Sequence, residues 1–173
     1  MAEEVETIVD DATKYKLLYE IWFFAYEKAI RDVLGANPKI VSMRAYENAV
    51  RHFLFKIASE RYGIEVPKFS RADEALSWYI ELLRKFGILP PTGEPVRFSS
   101  ADSELVVEVA NCPYLDICLD LVREGVELRH LTCPRIGCFR AAVAILTGGN
   151  YEYRLTEVSL SGGCRGVIRP VTG

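Results

Sequence analysis

Histidine is scarce in this sequence, and no long apolar segment is present. Only His52 and His130 occur among 173 residues, which excludes a site built from several imidazoles and leaves general acid–base chemistry to carboxylates or thiols. No apolar run approaches the ~20 residues that span a bilayer. The acidic start, Met1-Ala2-Glu3-Glu4, lacks the basic and apolar regions of a secretory signal. These absences predict a cytoplasmic protein with no membrane partner.

An excess of positive charge is also missing. Lysine and arginine number 21 against 24 aspartates and glutamates, for a net charge of −3, which argues against a surface that neutralises a nucleic-acid backbone. The sequence has no Gly-x-Ser-x-Gly elbow, no phosphate-binding loop and no His-Glu-x-x-His motif, so the enzyme classes that these motifs define are excluded. We therefore predict no nucleic-acid partner and assign no catalytic residue.

What is present is the composition of a globular protein, with 50% hydrophobic and 26% charged residues. A chain of this length buries roughly 70% of its unfolded surface, so its core needs neither disulfides nor a metal. We predict a single domain over residues 1–173, with a helical half at about 11–87 and a sheet- and cysteine-bearing half at about 95–171. A Pro- and Gly-rich segment, 88–95, separates the two halves.

Hydrophobic periodicity defines the elements of both halves. Helical spacing and a following glycine predict three amphipathic helices at 11–34, 42–62 and 70–87. Alternation predicts strands at 96–99, 105–110, 151–160 and 165–171, and two helices at 113–124 and 133–146 lie between the hairpins. The fold class is therefore α+β, with N-terminal helices packed on an antiparallel four-stranded sheet and further helices between two hairpins.

The first helix is apolar over more than one stripe, because Phe23, Phe24 and Tyr26 add to its regular apolar face, which includes Trp22. A water-soluble monomer rarely exposes several adjacent aromatic side chains. The second face is expected to meet a small hydrophobic molecule or a second copy of the chain, as a homodimer through this helix. Most other aromatic residues of the helical half are assigned to the core.

Five cysteines, all in the C-terminal third, are the chain's other concentrated feature. An odd number argues against a complete disulfide framework. Cys112 follows a predicted strand, Cys133 begins a predicted helix, and Cys164 lies at a predicted hairpin turn, so these ends can meet at one edge of the sheet. Cys138 follows Cys133 by five residues. Either a metal such as Zn²⁺, which prefers four tetrahedral ligands, or simple burial accounts for them, and Cys118 is assigned to the core.

From Asn111 onward the sequence resembles the 4-vinyl reductase domain family, whose superfamily also holds vesicle-transport-particle subunits and haem-nitric-oxide-binding domains. The resemblance rests on a cysteine opening a glycine-containing helix, on a strand bearing a glutamate, and on a glycine turn with a final cysteine: Cys133-Pro134-Arg135-Ile136-Gly137, Thr156-Glu157-Val158-Ser159-Leu160 and Gly162-Gly163-Cys164. Leu160 stands where many members carry another cysteine. The resemblance implies a zinc site near the C-terminus and a pocket for small aromatic or hydrocarbon effectors. The implied ligands are Cys133, Cys164 and Glu157, with Cys138 or Cys112 completing the set.

The segment Asn111-Cys112-Pro113-Tyr114 is also similar to the aminothiazoline-carboxylate hydrolase-like branch. Our first hypothesis follows the resemblance to the 4-vinyl reductase domain family. It is a non-enzymatic regulatory domain that binds a small hydrophobic or aromatic effector and carries structural zinc. The alternatives are a cysteine- or zinc-dependent hydrolase of small cyclic amide or thiazoline substrates, and an iron–sulfur redox or sensor protein.

Overall fold

The computed structural model describes residues 11–34, 38–89, 96–101, 103–159 and 163–171. The acidic start, residues 90–95 of the predicted separator, and residues 160–162, which include Leu160, lie outside this part. In chain order the elements are α1 (Asp11–Leu34), α2 (Pro38–Arg51), a π-helical segment (His52–Ser59), α3 (Ala72–Lys85), β1 (Val96–Ala101), β2 (Glu104–Ala110), α4 (Leu115–Arg123), a 3₁₀ turn (Leu128–His130), α5 (Pro134–Thr147), β3 (Tyr151–Ser159) and β4 (Gly163–Pro170). The predicted α+β fold class is confirmed.

The four strands form one antiparallel sheet in the order β1-β2-β4-β3. The two sequence hairpins meet where β2 pairs with β4. On the face toward the helices lie buried side chains such as Val107 and Val109, and Cys164 pairs with Val109. Because side chains alternate across a strand, Glu108 and its partner Arg165 lie on the other face.

Helix α5 is the centre of the molecule. It contacts α2 and α3 on one side and β3 and β4 on the other, and a helix surrounded in this way must be apolar around most of its circumference. Pro134 occupies its first turn, and Gly148 ends it with φ of +73°. Gly137 lets α2 approach closely, since a Cβ there would lie 2.3 Å from Cδ2 of Tyr46.

A buried ion pair ties α5 to α2. Arg140 is 1% exposed, and its guanidinium donates to Oε1 of Glu47 at 2.5 Å and to the backbone oxygen of Met43 at 3.1 Å. Desolvation alone would raise the pKa of Glu47, but hydrogen bonds from Arg140 and Arg44 hold that pKa below its usual value. The pair fixes the α2 wall beside which the main cavity lies. Among the described helices none has the length and apolarity to cross a bilayer.

Candidate functional site

A cavity of about 590 Å³ lies among the helices, within the usual size of small-molecule sites. Its walls come from α1, α2, the π-helical segment, α3 and the start of α5, together with Ile88 and Tyr114. No described strand residue lines it, so the cavity lies on the helical side of α5 and not against the sheet. Exposed side chains mark its mouth: Tyr26, Val41, Ala45, Ala49 and Ile88.

Most of the lining is apolar and aromatic. Phe53 of the π-helical segment lies edge-on to Tyr79 with ring centroids 6.3 Å apart, and Tyr79 lies edge-on to Phe139 at 6.3 Å. These contacts fix the rings in the geometry that aromatic side chains prefer. Phe23 of α1 closes the opposite side. The cavity therefore presents rigid aromatic surfaces to any molecule that enters it.

Part of the polar lining lies on the α1–α2 wall. Glu27 is 4% exposed, and its Oε1 accepts a hydrogen bond from the hydroxyl of Ser42. Desolvation raises the pKa of Glu27 above its usual value, although the hydrogen bond from Ser42 and the nearby hydroxyl of Thr132 act in the opposite direction. The nearby hydroxyl of Tyr46 is buried and forms no hydrogen bond.

Sequence reasoning missed Glu27, although one sign of it was visible. Two adjacent charged residues, Glu27 and Lys28, interrupt an otherwise apolar stretch of the first helix, from Ile21 to Ile30. Buried carboxyl groups are rare and often functional. Arg135 and Cys138, on the first turns of α5, also line the cavity, and the guanidinium carbon of Arg135 lies 5.6 Å from the ring centroid of Tyr114.

Three of the predicted metal ligands come together beside the start of α5. The thiol of Cys164 lies close to those of Cys112 and Cys133, and interaction with these two thiols, followed by desolvation, raises the pKa of Cys164. Cys133 also caps α5, because its Sγ accepts the N–H of Ile136 at 3.4 Å. Its own N–H donates to the hydroxyl of Tyr153 at 3.2 Å. We call Cys112, Cys133 and Cys164 the thiol cluster.

The other predicted ligands lie elsewhere. Cys138 lines the cavity, and burial raises its pKa to about 12. Glu157 is exposed and pairs with Arg165 in the sheet register, on the face away from the helices, whereas Cys164 pairs with Val158 on the inner face. Cys118, assigned to the core, is buried near the thiol cluster, and desolvation followed by the charges of Cys133 and Cys112 raises its pKa.

The thiol cluster matches a soft metal ion in its ligand type, because thiolates bind Zn²⁺ and iron. It does not form a complete tetrahedral set. Across the described residues, no group of three or more histidine, cysteine, aspartate or glutamate side chains is arranged to hold a metal ion. The three thiols are close together, and all five cysteines are free of disulfides.

No protein-family profile and no curated protein sequence matches the chain. Solved structures with a similar fold include the phenol-responsive sensory domain of the transcription activator PoxR, determined with phenol. The two sequences are 18% identical and the TM-score is 0.50, and the match covers 98% of this chain and 79% of that one. A structure from work on haem distortion in the H-NOX family matches at 14% identity and a TM-score of 0.46, over 100% of this chain and 79% of that one. Such low identity shows the fold alone, and the chain has the α+β fold of a phenol-responsive sensory domain.

Proposed function

We propose that this chain is a regulatory domain that senses a small, mainly apolar organic molecule bound in the helical cavity. The observation that carries the proposal is the 590 Å³ space walled by fixed aromatic rings and opening between α1 and α2. Sites of this size with apolar walls and a few polar groups are typical of small-molecule binding. The phenol ligand of the PoxR sensory domain supports the same class of ligand here.

The described residues of the lining offer haem neither a histidine ligand nor a thiolate ligand. Haem iron is usually held by histidine, cysteine, methionine or tyrosine. Neither of the two histidines, His52 and His130, lines the cavity. Cys138 does, but its raised pKa of about 12 keeps the thiol protonated near neutral pH, which disfavours it as a thiolate ligand.

The raised pKa of the Cys138 thiol also favours binding over catalysis. The hydrolase alternative needs an activated nucleophile next to the substrate. Cys138 is the one cysteine among the described residues that line the cavity, and a thiol with a pKa of about 12 is a poor nucleophile at neutral pH. A cavity with rigid apolar walls and no activated thiol is suited to holding a molecule unchanged.

Helix α1 is the element through which binding would be transmitted. Phe23, Glu27 and Ile30 of α1 line the cavity, and the helix otherwise contacts chiefly α2 and α4. A bound molecule would add contacts between α1 and the core and so stabilise one placement of the helix. The outer face of α1 is exposed, and we propose a second copy of the chain as its partner.

The thiol cluster is proposed as a structural zinc site. Its support is the convergence of Cys112, Cys133 and Cys164 from three distant parts of the chain, two of which match the family pattern. A metal held there would bind the end of β2, the start of α5 and β4 to one another. Its chemistry would be that of a structural cross-link if a fourth ligand completed the site, since the three thiols alone leave one tetrahedral position unfilled.

Binding can be measured with 1-methylnaphthalene and 1-naphthalenemethanol, which are small enough for the cavity. We expect saturable one-to-one binding by calorimetry, and the Ala49→Trp variant should weaken it at least about tenfold, or about 1.4 kcal/mol, because the indole would occupy the mouth. Asn48→Trp is the matched control, since Asn48 is exposed on α2 but does not line the cavity. Equal binding by both variants, or no binding by the wild type, would contradict the proposal.

A further inference from the structure

Glu27 occupies an unusual position for a carboxyl group. It is 4% exposed and lines a cavity whose other walls are mostly apolar. Its Oε1 is satisfied by Ser42, but its Oε2 has no hydrogen-bond partner. The hydroxyl of Thr132 lies near enough to lower the carboxyl pKa, yet its Oγ1 completes no hydrogen bond. One acceptor of the carboxyl group is therefore left over.

Basic residues lie beside Glu27 without pairing with it. Lys28, Arg31 and His130 line a second, small pocket together with Glu27. Lys28 pairs with Glu124 at 3.3 Å, and Arg31 donates to the backbone oxygen of Glu124 at 3.3 Å. Among the ion pairs of the described residues none includes Glu27. Arg135, on the far wall, lies over the ring of Tyr114. Burying an acidic group without a cation costs stability, and such groups are usually retained for a reason other than folding.

We propose that the cavity selects ligands with an apolar body and a basic amino group, and that Glu27 holds the amino group. This inference rests on the proposed binding function. A protonated amino group can donate a hydrogen bond to Oε2 and gives the carboxylate a positively charged partner. Hydrogen bonds between ionised partners are about twice as strong as those between neutral ones. The hydroxyl of Tyr46, buried nearby without a partner, can add a further contact.

Other polar ends satisfy this wall less well. A hydroxyl group donates one hydrogen bond and brings no charge. A carboxylate group on the ligand would face Glu27 with like charge and with no proton to donate. A hydrocarbon would leave the already buried Oε2 unsatisfied. The structure thus predicts an order of affinity in which only the polar end of the ligand changes.

The test compares four ligands with one bicyclic body: 1-naphthylmethylamine, 1-naphthalenemethanol, 1-methylnaphthalene and 1-naphthoate. We expect wild-type protein at pH 7.5 to bind the amine at least about tenfold more tightly than the alcohol, and 1-naphthoate most weakly. Glu27→Gln preserves the side-chain shape and should weaken amine binding about 10- to 100-fold. It should change 1-methylnaphthalene binding less than about threefold.

Glu65→Gln serves as the matched control, because Glu65 is exposed and does not line the cavity, yet its loss changes the net charge equally. It should leave all four affinities unchanged. If 1-methylnaphthalene and the alcohol bind but the amine has no advantage, or if Glu27→Gln keeps that advantage, the inference about Glu27 is wrong and the binding function stands. If none of the four ligands binds, both the inference and the proposed function are wrong.

Discussion

Folding removes the Glu27 carboxyl group from water without giving it a cation, and this has a consequence for stability. Desolvation raises its pKa above the ordinary value of 4.5. The folded state therefore binds more protons than the unfolded state between the two pKa values, and stability must fall as the pH rises through that interval and stay low above it. At acid pH both states carry the protonated group, and no penalty remains.

Glu27→Gln removes this titration. We expect the variant to melt at a higher temperature than wild type at pH 8 and at an equal temperature near pH 4. For a chain of this size, each kcal/mol of stability corresponds to about 2–4 °C in Tm. Thermal denaturation of both proteins from pH 4 to pH 8 measures the difference, with Glu65→Gln as the control for net charge. A variant that is less stable than wild type at pH 8 would mean that the bond from Ser42 to the carboxylate outweighs desolvation.

The positions of the thiols and of Glu157 show which features of the site could be predicted from the sequence and which could not. Cys112, Cys133 and Cys164 were predicted to meet because each lies at an element end. Their thiols lie close together, and their role as metal ligands stays a prediction. Strict alternation from the buried Leu155 would also have put Glu157 on the inner face. A register irregularity between Leu155 and Glu157 turns it outward, because a single extra residue reverses the facing of all that follow. Nothing in the sequence marks that irregularity.

At the scale of elements, α1 has an outer face that the fold does not cover. Trp22, Tyr26, Ala29 and Val33 are all exposed, with Trp22 at 56% and Val33 at 79%. Their spacing of four, three and four residues is the heptad spacing of helices that pair with one another. The spacing continues in the sequence to Tyr19 and Tyr15, whose side chains lie outside the described part. A second α1 is the partner that matches such a seam.

A charge placed in this seam should therefore oppose dimer formation. We expect Trp22→Glu and Val33→Glu each to raise the dimer dissociation constant at least about tenfold, or about 1.4 kcal/mol, as measured by sedimentation equilibrium. Ile40→Glu is the control, since Ile40 is 71% exposed on α2 and outside the seam. A wild-type protein that stays monomeric at about 100 μM, or variants that associate as wild type does, would contradict a dimer through α1.

The second helix shows what periodicity cannot detect. One α-helix was predicted over 42–62, whereas α2 begins at Pro38 and passes into π-helical geometry after Arg51. The N–H of Glu60 donates to the oxygen of Phe55, five residues earlier. Such segments often occur at functional sites, and this one carries Phe53 into the cavity wall. No proline or glycine interrupts the sequence there, so the change of geometry comes from tertiary packing.

At the scale of the whole molecule, the second apolar face of the first helix predicted contact with a small hydrophobic molecule or a second copy of the chain, but periodicity did not locate the cavity. Helix α5 fills the space against the sheet with its own buried side chains. The unfilled volume therefore lies on the opposite side of α5, under α1 and α2. Sequence patterns identify which faces are apolar, whereas the distance between two faces depends on side-chain volumes across the whole core. Gly137 illustrates this, because the missing side chain sets how near the Tyr46 ring lies to α5.

The thiol cluster joins three distant parts of the chain, so its chemical state affects the stability of the whole molecule. If it holds zinc as proposed, protein purified without added metal should contain about one zinc per chain, and Cys112→Ser and Cys164→Ser should each reduce this below about 0.1. Cys138→Ser is the matched control, since Cys138 lines the cavity and lies outside the cluster. Chelation should lower the Tm of wild type, because metal binding contributes directly to folding free energy. A preparation with negligible metal and five titratable thiols would show that the thiol cluster only packs the core. A brown preparation with broad visible absorbance would indicate an iron–sulfur cluster instead.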